Sequence, residues 1–420
     1  MKFTGSFLAL LHTFAAALPS SAPNCTVSPS SQWTSPTSFD RSAWVVRNGT
    51  ALYLSDGTRW TGSGPNIYWL GLDENVVPPA DEPYDAATKS SYPTKGRVTE
   101  MMNVLNVMGA NHIRAHTLGV SFGNPLALMP ERGVINEDAW EAIDWAVYQA
   151  GTHGIRLSVP LVDNYDYYHG GKFNFLRWRG IDMTSSDLPD DRVQLFYTDP
   201  DIISDFKFYI NALLTHMNPY TGLTYADDPT IFAYETGNEL GGPVFQDKAV
   251  PVAWTREIAQ FVKELAPRKL VVDGTYGVKE GALAIEEVDI YSNHYYPVDN
   301  AKLSADLETV GEAGKVYFAG EYDWSDAGLD SWLSLIEERQ GMDEPVIAGD
   351  QFWSLFGHDV PDCSTFVPHD DGQTMHYNNP ANTPEINGYI ARVRQHFFTM
   401  NDQAVALETP EAPCPGPTCS

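Results

Sequence analysis

The chain has 420 residues, which leaves room for two or three average domains or for a single large α/β barrel. At 43% apolar and 12% aromatic it can bury a large core and still have rings left over for a cleft. Against 55 acidic residues stand only 26 basic ones, a formal charge of -29 that repels phosphate backbones and excludes nucleic acid as a partner.

The N-terminus reads Met1-Lys2, an apolar run from Phe7 to Leu18 broken only by His12 and Thr13, then Pro19-Ser-Ser-Ala-Pro23. That order of charge, apolar run and small-residue exit predicts a secretory signal peptide over 1–18, with Ala15-x-Ala17 as a cleavage site. The run is too short to span a bilayer and no other stretch approaches that length, so an exported protein without a membrane anchor is expected. In that compartment Asn24-Cys-Thr26 and Asn48-Gly-Thr50 become glycosylation sequons. Four cysteines (Cys25, Cys363, Cys414, Cys419) predict disulfides, with three connectivities open, and Cys414 with Cys419 could close a small loop.

A Ser/Pro/Thr-rich stretch over 19–42 reads as a flexible lead-in. Ala43–Arg47 and Ala51–Leu54 flank Asn48-Gly49, a hairpin signal that could cap the bottom of a barrel. Eight strand candidates follow: Asn66–Leu72, His112–His116, Arg156–Val162, Ile231–Glu239, Leu270–Tyr276, Ile290–Tyr296, Val316–Glu321 and Val346–Trp353. Helical patterns fall at Thr94–Met108, Glu137–Thr152, Ile202–Met217, Val252–Leu265, weakly near Gly281–Glu287, then Ala301–Glu312, Leu329–Gln340 and Glu385–Met400. Strict alternation argues for parallel βαβ units, and eight of them predict one closed (β/α)8 barrel over 43–402. The prolines of 403–420 cannot continue a helix, so that tail reads as a disordered end or a linker stump.

Two strand candidates end on glutamate, Glu239 after Asn238 and Glu321 after Gly320, 82 residues apart. Paired carboxylates at the C-terminal face of a barrel point to glycoside hydrolysis, in which one carboxyl must stay neutral and the other ionised. Arg114, His294, Tyr296 and Trp353 lie at other strand ends. Each alone has a plainer reading: Arg114 as the partner of a buried acid, His294 as a core histidine, Trp353 as packing. The spacing of His112 and His116, and of the histidines between Gly357 and Asn382, matches no metal motif. No phosphate-cradling glycine loop occurs, so neither metal nor cofactor is expected.

Taken together these residues resemble glycoside hydrolase family 5 endo-β-1,4-mannanases. The resemblance rests on Asn218–Glu239 (fourth-strand approach), Gly64–Leu70 (first strand) and His112-Ile-Arg114 (second). It continues through the third-strand loop Pro160–Lys172, with Asn164 inside it and Trp178 beyond, then Asn293–Pro297, Gly320-Glu321 and Phe352-Trp353. It implies a retaining mechanism with Glu239 as acid/base and Glu321 as nucleophile, and places Arg114, Asn238, His294, Tyr296 and Trp353 around the reacting sugar. Three features depart from the family pattern: Leu240 where proline usually follows the glutamate, Tyr322-Asp-Trp324 after Glu321, and a long eighth loop (Gly357 to Asn382) with Asp359, His369, Asp370, Asp371 and His376.

The expected activity is therefore a secreted β-mannanase working as a monomer on a neutral polysaccharide. Another β-glycanase or an exo-β-glycosidase on the same barrel is the alternative within enzymes, and a non-catalytic carbohydrate-binding barrel the alternative outside them. Trp178, Trp324, Trp353, Tyr165 and Phe173 fall in or near strand-end loops and are expected as stacking platforms for sugar rings.

Overall fold

The computed structural model describes residues 43–242, 248–405 and 409–415; the expected signal peptide, the lead-in and Asn24, Cys25 and Cys419 lie outside them. Eight parallel strands form the core sheet: β1 Gly62–Pro65, β2 His112–Arg114, β3 Arg156–Pro160, β4 Ile231–Glu235, β5 Leu270–Val272, β6 Ile290–Tyr295, β7 Val316–Asp323 and β8 Ile347–Trp353. Their order around the sheet is β1-β8-β7-β6-β5-β4-β3-β2, and a parallel bridge between Asn66 and Arg114 joins the two edges. This is the expected (β/α)8 barrel, with α1 Lys95–Met108, α2 Trp140–Thr152, α3 Pro200–Thr215, α4 Val252–Leu265, α5 Asn300–Glu312, α6 Leu329–Gln340 and α7 Pro384–Met400 outside it.

Local chemistry sets the helix ends. The Thr94 hydroxyl accepts from the Arg97 amide at the start of α1, and Gly109, at φ +79°, ends that helix in the left-handed region. Asp199 caps α3 ahead of Pro200, and Thr383 caps α7 ahead of Pro384. The weak pattern near Gly281–Glu287 amounts to one 3-10 turn, Glu280–Ala282. The third-strand loop holds two short helices that the periodicity does not reveal, Lys172–Trp178 and Leu195–Thr198.

The first strand differs most from expectation. It pairs over Gly62–Pro65, four residues ahead of the Asn66–Leu72 run. Gly64 lies against β2 so closely that a Cβ there would sit 1.8 Å from the His112 carbonyl oxygen. That approach needs glycine, which removes the apolar signature by which strands are read. The residues after it carry the chain over the barrel mouth.

The hairpin Val45–Asn48 and Ala51–Leu54 caps the bottom as expected. Val45 and Leu52 pack with Trp60 against Phe232 and Phe318 from inside the barrel. Burying each such side chain contributes about 1.5–3 kcal/mol. A second, larger core fills the space between strands and helices.

At the other end, Leu355–Phe356 pairs with Met375–His376, pinning both stems of the eighth loop. Cys363 in that loop is bonded to Cys414. Asn103 donates to the Pro413 carbonyl at 2.9 Å and Tyr377 to that of Pro410 at 2.8 Å. Residues 409–415 are thus packed on the barrel, a correction to their reading as a free end: proline bars a helix there, not a bonded extended segment. Among the described residues no helix is long and apolar enough to cross a membrane.

Candidate active site

The C-terminal ends of the strands surround a cleft of about 660 Å³, and Glu239 and Glu321 both line it. The β4 ladder ends at Glu235, earlier than expected, and Glu239 stands four residues beyond it at φ +50°. Bridges from Asn238 to Asp163 and from Leu240 to Thr275 hold this turn between the neighbouring strand ends. Glu321 sits inside β7. Opposite it β6 slips register, so that Asn293 faces Ala319 and His294 faces Glu321. Gly320 is the residue skipped. A Cβ there would lie 2.3 Å from the Ser292 hydroxyl and 3.0 Å from His294 Nε2, so the bulge sets the imidazole beside the carboxylate.

His294 Nδ1 is 2.7 Å from Glu239 Oε1 and 3.4 Å from Glu321 Oε2. These atoms all lie within 4.8 Å of one another. Tyr165 donates its hydroxyl to the other oxygen of Glu239, and Tyr296 donates to Glu321 Oε2 at 2.9 Å. Arg114, only 2% exposed, ties the centre together. Its Nη1 donates to Glu321 at 2.8 Å and to Asn66 at 3.1 Å, its Nη2 to Asn238 Oδ1 at 2.9 Å, and its Nε to Glu235 at 2.9 Å. Burial works against that charge, but Glu235 and Glu321 outweigh it and the guanidinium pKa rises.

The two carboxyls are unequal. Burial pushes Glu321 above the usual carboxylate range and the Glu239 charge adds to this, against the pull of His294, Arg114 and Tyr296. Burial acts upward on Glu239 as well, but His294, Tyr165 and Arg114 outweigh it and the group sits below the usual range. Like charges this close resist ionising together.

Asn238 donates from Nδ2 to Asp163 Oδ1 at 3.0 Å while its carbonyl accepts from Arg114, so the amide is fixed in both senses. Trp353 lines the cleft, parallel to Tyr68 with ring centres 5.6 Å apart. Its indole N–H donates to Asp371 at 2.7 Å.

Four other expected residues lie off the cleft. Trp324 is buried and donates to the Gln373 carbonyl at 2.6 Å, so it props the eighth loop from behind. Trp178 ends a short helix and packs edge-on against Phe175. Phe173 is fully buried. Asn164 is buried too, its carbonyl accepting from Lys172 at 2.6 Å and from the Gly241 amide at 3.3 Å, which braces the turn behind Glu239. An aromatic near a strand end can point into the core as readily as into the cleft, and composition does not say which.

Glu74 and Tyr276 also line the cleft and were missed by sequence reasoning, as were Tyr68, Tyr167 and His169 as individual residues, although the first-strand and third-loop segments that hold them were marked. The available signal was the density of aromatic and acidic residues in the first and third loops. His116, noted only for its spacing from His112, is another lining residue. Burial holds it neutral, and its Nε2 lies 3.1 Å from Arg114 Nη1. His112 is a core histidine, its pKa lowered to about 3 by burial. Among the described residues, Glu239, His294 and Glu321 are also the ligand types close enough to share a metal ion. Arg114 already supplies the counter-charge that a cation would bring.

Residues 55–298 match the model of a family described as glycoside hydrolase family 5 β-mannosidase-like. The chain is 28% identical over 338 residues to mannan endo-1,4-β-mannosidase 1 of Arabidopsis thaliana, covering 78% of this chain and 70% of that one. It is 32% identical over 257 residues to mannan endo-1,4-β-mannosidase 2 of Oryza sativa subsp. japonica, covering 60% and 52%. In fold it is similar to an endo-β-1,4-mannanase from Thermotoga petrophila, with a TM-score of 0.64 at 22% identity over 84% of this chain and 79% of that one.

Proposed function

The chain belongs to glycoside hydrolase family 5, in its β-mannosidase-like group, and from that premise we propose that it is a retaining endo-β-1,4-mannanase. The observation that carries the retaining mechanism is the carboxyl separation. One oxygen of each glutamate lies within 4.8 Å of the other. Retaining sites hold their carboxyls about 5–5.5 Å apart, whereas an inverting site needs roughly 6.5–9.5 Å to admit a water between them.

Glu321 acts as the nucleophile on the anomeric carbon, and Glu239 gives its proton to the leaving oxygen. Water, deprotonated by Glu239, then releases the sugar with its configuration retained. The proton must sit on Glu239 at the start. The Arg114 charge beside Glu321 is permanent. Glu321 thus keeps a guanidinium and a phenol as donors to its ionised form, whereas Glu239, which accepts from no guanidinium among the described residues, is the carboxyl that carries the proton in the reaction. The Asn238 amide, held by Asp163 and Arg114, contributes most when the sugar 2-hydroxyl bonds more strongly in the transition state.

Two things support mannan and an internal cut. The Arabidopsis and rice relatives carry the name mannan endo-1,4-β-mannosidase. Aromatic rings line the cleft together with the carboxylate pair, among them Tyr68, Tyr165, Tyr167, Tyr276 and Trp353, so a chain of sugars can be held against their apolar faces. Export is part of the same proposal, supported by the signal-like 1–18 and by a disulfide that suits an oxidising compartment. The sequon residue Asn48 is exposed at the hairpin turn.

Purified enzyme on soluble β-mannan, carboxymethylcellulose, xylan and an aryl β-mannoside, with products sized over time, tests the activity. Short oligosaccharides appearing early from mannan are expected. Monosaccharide alone would make it an exo-β-glycosidase, and no action on mannan would remove the substrate assignment.

A further inference from the structure

The face that α5 turns to the barrel carries a residue at odds with its neighbours. Leu303, Leu307 and Val310 are buried there, and Asp306 falls on the same face, three residues after the first and four before the last. A carboxylate on a packed face needs donors to offset its lost hydration. The half-buried Asp306 finds three on the barrel wall, all reaching Oδ2: Asn293 Nδ2 at 2.8 Å, the Tyr295 hydroxyl at 2.7 Å and the Tyr317 hydroxyl at 3.2 Å. The two hydroxyls also bond to each other, and all three donor residues are buried.

These donors bracket the reacting centre. Asn293 and Tyr295 stand on either side of His294 in β6, and Tyr317 lies on β7 four residues before Glu321. Asn293 is held at its other end too, since its Oδ1 accepts from the His294 amide at 2.9 Å. One turn earlier on α5, Lys302 places Nζ 3.5 Å from the His294 carbonyl oxygen and 4.9 Å from the centre of the Tyr295 ring. Asp299 caps the helix, accepting from the Ala301 and Lys302 amides at 2.9 and 3.0 Å, so both side chains start from a fixed first turn. The bulge between Asn293 and His294 puts the imidazole opposite Glu321. A bulge interrupts the ladder, so strand pairing alone does not set its shape. Here the side chains flanking His294 end on one oxygen of a helix carboxylate. With the backbone pinned at 293 and 295 the direction of the imidazole is set, and Nδ1 arrives 2.7 Å from Glu239 and 3.4 Å from Glu321.

We propose that Asp306 is a positioning residue for the reaction: from outside the barrel it holds Asn293 and Tyr295, and so fixes the bulge that aims His294 at the two glutamates. The inference rests on the roles given above to Glu239 and Glu321, and extends them to a residue that does not line the cleft. Of the charged and titratable groups facing His294, Glu239 and Glu321 lie within 3.4 Å of Nδ1, Arg114, Glu235 and Asp273 share a small cavity with it, and Lys302 approaches its carbonyl. His294 pulls both glutamates down, so its displacement raises both. The acidic limb of kcat/KM, set by Glu321, and the basic limb, set by Glu239, then move up together. Loss of the Asp306 charge acting through space has the opposite sign, because a nearby negative charge raises a carboxyl pKa.

Asp306→Ala and Asp306→Asn test this against wild type, with kcat/KM on a β-1,4-manno-oligosaccharide measured across pH and a crystal structure of each form. Asp306→Ala should lose about tenfold or more, as small misplacements of reacting groups do, and both limbs should rise by about half a unit or more. Asp306→Asn keeps an acceptor oxygen without the charge, and should lie between wild type and Asp306→Ala in rate and in both limbs. Where Asp306→Ala does not fold, Asn293→Ala cuts the same link from the strand side and should show the same loss and the same upward shift. Full activity, a loss with unmoved limbs, limbs that move down, or no recovery in Asp306→Asn would overturn the positioning role. So would a crystal structure of Asp306→Ala, or of Asn293→Ala in its place, with His294 where wild type has it. If wild type cleaves no β-mannan or β-glucan, the glycosidase reading fails instead, and the paired crystal structures still decide whether Asp306 sets His294.

Discussion

Among the described residues Arg114 is the permanent cation of the centre, and Arg114→Met removes it while keeping most of the side-chain volume. In the native site that guanidinium touches Glu235, Glu321, Asn66 and Asn238 at 2.8–3.1 Å. A buried ion pair broken on one side costs about 3–5 kcal/mol, because the remaining charge is left uncompensated. Carboxyls so placed respond by binding a proton. A hydrogen bond to a charged group contributes about 1.5–3 kcal/mol and one pH unit corresponds to about 1.36, so losing the Arg114 contact should raise the Glu321 carboxyl by about one to two pH units. That carboxyl already lies above the usual range, and the change carries it further. The acidic limb of kcat/KM, which reports ionisation of the nucleophile, should therefore move up by about one unit or more. An activated aryl β-mannoside is the right substrate, since its leaving group needs no proton. Stability follows the same sign. The variant's penalty is present above the carboxyls' unfolded pKa and is relieved as they bind protons, so its deficit in melting temperature should shrink on acidification. Arg114→Lys keeps the charge but cannot reach four partners with one ammonium, and should fall between. If Arg114→Met loses activity while the acidic limb stays within about 0.3 unit of wild type, Arg114 does not hold the nucleophile ionised and the electrostatic account fails.

Three more outcomes are expected. Glu239→Ala should lose far more activity on substrates with poor leaving groups than on activated aryl glycosides, and similar losses on both would remove Glu239 as the acid. His396 lies between Asp350 and Glu337 at 3.0 and 2.9 Å; burial opposes its charge, but the two carboxylates push it up to about 9 from an ordinary 6.5. Its contribution, up to about 3 kcal/mol, is complete below the unfolded value and is lost as pH rises through the folded one, so denaturant unfolding of wild type should weaken across that window and that of His396→Ala should not. Cys363 and Cys414 close a loop with a sequence separation of 51, so Cys414→Ser should cost up to about 4 kcal/mol in the chain-entropy account, visible as a lower unfolding midpoint under non-reducing conditions only.

The barrel was legible because strand and helix periodicities alternate with little interruption, and seven strands begin within a residue of where the pattern puts them. The first was displaced because Gly62-Ser-Gly64-Pro65 is selected for close backbone approach, not for apolar patterning. The family resemblance read from short motifs agrees with the family match over 55–298. Within the site, the carboxylates and Arg114 could be named because strand ends on this face converge on one point. Trp178 and Trp324 could not be placed, since an indole at a loop gives no sign of whether it turns inward. Glu74, His169 and Asp371 line one cleft only because three loops far apart in sequence fold over the same face of the barrel. No local pattern encodes that meeting.

The central claim is a covalent intermediate on Glu321. A 2-deoxy-2-fluoro-β-mannoside with a highly activated leaving group slows both chemical steps but lets the first proceed, so the glycosyl-enzyme should accumulate. Mass spectrometry of the intact protein and then of its peptides reads the result directly. The account predicts one sugar per chain, carried on the peptide containing Glu321. A label on Glu239, or an enzyme that turns the substrate over without becoming labelled, would contradict it.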